Sequence, residues 1–193
     1  MSNLWLQIKN TKDAYDLNEL IDSIDESNVN EIIDLLPELL DHKSWIVRTD
    51  ALEIIGEFKL GQFTSNVLDV LKKERNPIVI GNALTALFDI DRGKSTQILL
   101  NEYIEHKVVR VRLCALSLLY VKFQKTEYLE QIAKILLRSN CNYLHKAVFF
   151  HIMTDYLNVK KYPDVITLLR SVLHATDPSL GISKDIDEFL RSN

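Results

Sequence analysis

The residues able to do chemistry are few and do not converge. The best local pair for a metal is His151 and Asp155, one helical turn apart, but a metal site needs three or four donors. His151 also stands where earlier segments carry Ile55, Leu87 and Leu119, so a core-facing histidine with a local carboxylate is expected. His42 and His106 share a position in the pattern below and are expected in exposed turns. No GxSxG, HExxH or glycine-rich phosphate loop occurs, since the five glycines stand alone. Cys114 and Cys141 have no CxxC spacing and read as small buried hydrophobes. No nucleophile, metal site or cofactor is therefore expected.

The elements that would carry a binding surface are much clearer. The chain has 193 residues, 47% hydrophobic, with a formal net charge of −4. That composition is too apolar and too weakly charged for disorder, and few glycines and prolines argue against a many-stranded sandwich. The start offers no secretory signal, and the longest apolar stretch, Cys114 to Val121, is far too short to span a bilayer. A cytoplasmic protein is expected.

Ala51, Ala83, Ala115 and Ala147 recur every 32 residues. Four before each stand Val47, Val79, Val111 and Tyr143, and one after it Leu52, Leu84, Leu116 and Val148. This spacing makes one stripe on a helix, with a small residue where a neighbouring helix comes close. A second apolar helix precedes each stripe, visible as Leu36 and Leu40, Leu68 and Leu71, Leu100 and Ile104, and Ile132 and Leu136, so each repeat reads as a helical hairpin. Asn76 followed by Pro77 marks one helix start, Thr126 is expected as another N-cap, and Gly61 and Gly93 as stops. Lys107 and Ser139-Asn140 are expected to close the later hairpins. The organisation is a single domain: cap 1–27, repeats 28–61, 62–93, 94–125 and 126–158, and cap 159–193. The caps include helices from Asp16 to Asp25, Pro163 to Leu173 and Ser183 to Arg191, about eleven helices in all.

The stretch LLPELLDHKSWIVRTDALEIIG, Leu35 to Gly56, resembles the short bacterial form of the HEAT family, with its LPxLL segment, Asp, VRxxA and closing Gly. The resemblance implies an all-α fold, a right-handed α-α superhelix. It also implies a polar ladder of Asp41 and Arg48, then Glu105 and Arg112. The second and fourth repeats depart from it, with Lys73 and Ile80, then Leu137 and Leu144, at those positions. A helical solenoid of this kind implies binding through a concave face, although HEAT-like repeats also occur in phycobilin lyases and alkylpurine DNA glycosylases.

Charge is divided along the chain. Residues 1 to 60 hold five Lys/Arg against thirteen Asp/Glu, a net of −8, while 92 to 161 hold twelve against five. Asp50, Glu53, Glu57 and Asp89 are therefore expected to line an acidic face for a basic protein partner. Tyr120, Phe149 and Met153 are expected as apolar anchors at outward or flanking positions. A nucleic-acid surface would draw on Arg92, Lys94, Lys107, Arg110, Lys122, Lys125 and Lys146. A sequence pI near 5.7 and scattered basic residues argue against it, and neither Trp5 nor Trp45 is placed for stacking. The resulting expectation is a non-catalytic bacterial binder, for instance an immunity protein that inhibits a basic toxin. The alternative is a HEAT-like lyase or a glycosylase-type nucleic-acid binder.

Overall fold

The computed structural model describes residues 3–138 and 141–192, so the turn expected at Ser139-Asn140 lies outside the described residues. The chain divides into two compact units, Met1–Thr96 and Gln97–Asn193. Among the described residues all regular structure is helical.

The N-terminal unit contains α1 (Asn3–Asn10), α2 (Ala14–Asp22), α3 (Leu36–Leu40), α4 (Trp45–Glu57), α5 (Thr64–Lys73) and α6 (Pro77–Ile90). The first helix was not expected. Asp13 caps the second, its carboxylate accepting from the Tyr15 and Asp16 N–H groups. The α3/α4 and α5/α6 hairpins pack as the apolar spacing demands, and α4 packs extensively on α6. Ala51 and Ala83 are wholly buried. Gly56 shows how close the helices come: a Cβ there would lie 3.1 Å from the Ala86 Cα and 3.3 Å from Asp89 Oδ2. The α4 terminus does not use Gly61 as its left-handed residue; Lys59 takes that conformation at φ 50°, with its N–H bonded to the Gly56 carbonyl.

The short α7 (Lys94–Tyr103) straddles the division between units. The C-terminal unit then contains α8 (Val109–Phe123), α9 (Thr126–Leu136), α10 (Tyr143–Tyr156), α11 (Pro163–His174) and α12 (Gly181–Ser192). Its centre is α8, packed on both α9 and α10. Asn76 and Asn142 cap α6 and α10 through their side chains. Thr126, by contrast, is the first helical residue of α9, and Lys125 holds the cap position.

The fourth rung of the alanine pattern fails. Ala115 is wholly buried, but Ala147 is only half-buried and Tyr143 and His151 are exposed. The buried stripe of α10 is instead Lys146, Phe149, Phe150, Ile152 and Met153. These residues face α8, α11 and α12, the helices that α10 packs against. The core-facing role expected of His151 is therefore corrected: its ring lies at the surface, edge-on to Phe150 with centroids 5.4 Å apart. Cys141 is likewise only half-buried, unlike Cys114.

Candidate functional site: an acidic cluster and a polar ladder

The acidic cluster stands on α2 and α4. Asp50 is 8% exposed, and its Oδ2 accepts from Asn18 Nδ2 at 3.0 Å. Burial pushes its carboxyl above the usual carboxylate value; the Asn18 bond opposes this and the Asp22 charge adds to it. Glu53, one turn on, reaches solvent and accepts from Asn82 Nδ2 at 2.9 Å. Desolvation raises its carboxyl as well, and the charges of Asp50, Asp22 and Glu57 add to the rise. Glu57 is exposed. The structure thus brings Asp50, Glu53 and Glu57 together, with Asp22 as a member that sequence reasoning missed. Asn18 and Asn82, which hold the two inner carboxylates, stand one period before and one after Asp50, a signal that was available.

Asp89 has a different setting. It is half-buried on α6, against the bare Gly56 of α4, and lies 3.8 Å from the Arg92 guanidinium, which covers the Phe88 ring at 4.7 Å.

The three expected anchors are corrected. Tyr120, Phe149 and Met153 are 4%, 0% and 0% exposed, because α8 and α10 bury these positions against each other and their neighbours. They hold the C-terminal unit together and present nothing to a partner. Lys146 also leaves the surface: it is buried, and its Nζ donates to the Ala175 carbonyl at 2.7 Å and to Thr176 Oγ1 at 2.8 Å. An ammonium spent on the end of α11 cannot neutralise a phosphate, which weakens the nucleic-acid surface further.

The polar ladder exists, with other partners than expected. Asp41 pairs with Lys73, one period on, at 2.5 Å. Arg48 pairs through Nε with Glu74 at 2.8 Å, and its Nη1 donates to the His42 and Lys43 carbonyls. Burial would raise the Glu74 carboxyl, but the Asn76 and Arg75 N–H groups and Arg48 outweigh it and hold it below its usual value.

Other candidate chemistry is sparse. Cys141 Sγ lies 4.0 Å from His145 Nδ1, yet burial pushes the thiol up despite the nearby Lys146 charge, the wrong direction for an activated nucleophile. No group of three or more metal-ligating side chains occurs among the described residues. No helix there is long and apolar enough to cross a membrane.

No family model matches the chain, and no curated protein matches it. Among solved structures, it is similar to a chain in the complex of CpcE and CpcF of phycocyanin lyase from Nostoc, with a TM-score of 0.63 and 15% identity over 98% of this chain and 80% of that one. This corrects the expectation of a protein that acts without catalysis: the same fold serves a lyase, so absent catalytic motifs were no ground for setting enzymes aside. The chain is thus an all-helical protein with the fold of a HEAT-like helical solenoid.

Proposed function

We propose that the chain is a helical-repeat subunit of a lyase-type assembly and works bound to a second protein. The observation that carries this reading is the likeness, across 98% of the chain, to a lyase subunit solved in complex with another chain. In this reading the exposed carboxylates of Asp22, Glu53 and Glu57, with the buried Asp50 behind them, meet a basic surface of the partner. Asp89 lies at the margin of that surface. Crowded carboxylates raise one another's proton affinity, and a cationic partner relieves that repulsion.

The test is purification of the tagged chain from its source cells at low and high salt, with mass spectrometry and a visible absorption spectrum of the eluate. The expected result is a second helical-repeat protein released at high salt, with a chromophore absorbing in the visible. A colourless protein eluting alone at both salt concentrations would contradict the proposal.

A further inference from the structure

The two units build the same turn and then part. In the N-terminal unit Arg48 Nη1 donates to the His42 and Lys43 carbonyls at 2.8 and 3.1 Å, and His42 Nδ1 accepts from the Ser44 N–H at 3.2 Å. Two periods on, Arg112 Nη1 donates to the His106 and Lys107 carbonyls at 2.7 and 3.3 Å. His106 Nδ1 accepts from the Val108 N–H at 3.2 Å. Each side chain and each acceptor in the first turn has its counterpart in the second.

What differs is the other edge of the guanidinium. Arg48 Nε is met by Glu74, while the residue two periods after Glu74 is Arg138, and the one two periods after Lys73 is Leu137. A carboxylate has become a cation, and the pairing cation a leucine. Among the described residues, no carboxylate pairs with Arg112 or Arg138, and Arg112 makes only its turn bonds. The side chain of Arg110, half-buried on the same turn of α8, has neither a hydrogen bond nor an ion pair among the described residues. Burial weakens its hold on the proton, with the Cys114 thiol opposing.

Exposed apolar residues stand beside Arg138 and His145 along the chain. Leu137 precedes Arg138 and is 44% exposed, and Tyr143 and Leu144, each 45% exposed, open α10. The next residue of that helix, His145, is close enough to feel the charges of Arg110 and Arg112. A free anion would match the guanidinium groups and leave three large apolar side chains in water. A polypeptide with acidic and apolar residues matches both.

We propose that this surface docks an acidic segment of a partner protein, one carboxylate of which takes at Arg112 the place that Glu74 holds at Arg48, with apolar side chains on Leu137, Tyr143 and Leu144. The proposal does not depend on the lyase reading, since it concerns a surface of the other unit and a partner of opposite charge.

The probe is a fluorescein-labelled peptide of alternating Glu and Leu, titrated with the full chain by fluorescence anisotropy, with a Gln/Leu peptide as control and citrate as competitor. The wild-type chain is expected to bind the acidic peptide, more weakly as salt rises, and not the control. Arg112→Gln is expected to weaken binding about tenfold. Arg138→Glu changes an exposed residue, so it tests the idea even if the Arg112 variant misfolds. It should close the pair within the chain, weaken peptide binding by a similar factor and raise the thermal midpoint. Peptide binding unchanged by Arg138→Glu would overturn the proposal. Citrate binding as tight as the peptide would also overturn it, by making the surface a free-anion site.

Discussion

The N-terminal unit closes its polar ladder and the C-terminal unit leaves the same ladder open. Around Arg48 the ladder charges are paired: Glu74 on Nε, two turn carbonyls on Nη1, and Asp41 with Lys73 alongside. Around Arg112 the carbonyls remain, but Arg138 stands in the place of Glu74 and Leu137 in that of Lys73, while Glu105, in the place of Asp41, pairs with neither arginine among the described residues. The lesson is that turn geometry and ion pairing separate in a repeat. The local bonds are dictated by the His-Lys-to-Arg spacing within one turn, while the pair depends on a residue in the next hairpin. That residue can change sign without disturbing the turn.

The largest effect that sharpens this contrast lies in the core of the open unit. Phe149→Ala should destabilise by about 3–5 kcal/mol in urea unfolding, the response of a wholly buried ring and not of an exposed anchor. Next comes the alanine pattern. Ala51→Leu, at a wholly buried position, should lower stability by about 1–3 kcal/mol through overpacking, whereas Ala147→Leu, at a half-buried position of α10, should change it by about 0.5 kcal/mol or less. Equal losses at the two sites would break the distinction between the units.

A smaller difference tests the ladder itself. Arg48→Ala removes the charged partner of Glu74, whose side chain is 10% exposed and keeps only the Arg75 and Asn76 N–H bonds, together with two turn-carbonyl bonds, and should cost about 2 kcal/mol. Arg112→Ala strands no carboxylate and removes bonds to two turn carbonyls, so about 1 kcal/mol is expected by the same unfolding measurement.

The smallest effect is in pH. Asp50 and Glu53 have folded proton affinities above their ordinary values of 3.8 and 4.5, so the native state should gain stability as pH falls from neutrality toward those values. Glu74 is held below 4.5, so its stabilisation is lost only as pH falls further, through its lower folded value. Thermal midpoints of the N-terminal unit should therefore pass through a maximum in weak acid. Asp50→Asn should flatten its neutral side, because the amide oxygen still accepts from Asn18 without the charge.

Most of the fold was legible because period and burial have one cause. Residues one period apart occupy equivalent places in successive hairpins, so Val47, Ala51 and Leu52 report the core wherever two neighbouring helices cover them. The fourth repeat escaped this logic because α10 meets α11 and α12, and its buried stripe moved from Ala147 to Phe149 and Lys146. The same shift misplaced Phe149 and Met153 as anchors and His151 as a core residue. The acidic cluster was readable in Asp50, Glu53 and Glu57, which lie on one helix. Asp22 and the two asparagines were missed because they act across helices, where only the 32-residue spacing relates them. The ladder was expected to join neighbouring repeats through Asp41 and Arg48, and both residues do reach the next hairpin, but their partners there are Lys73 and Glu74, which project from its turn.

The most direct test is solvent exchange of the arginine Nε–H protons of Arg48 and Arg112, measured by NMR on the labelled full chain. A closed pair shields the Arg48 proton through its bond to Glu74, so slow exchange at Arg48 and fast exchange at Arg112 are expected, with Arg138→Glu slowing the latter. Equal exchange at the two arginines in the wild-type chain would contradict the claim that one unit is closed where the other is open.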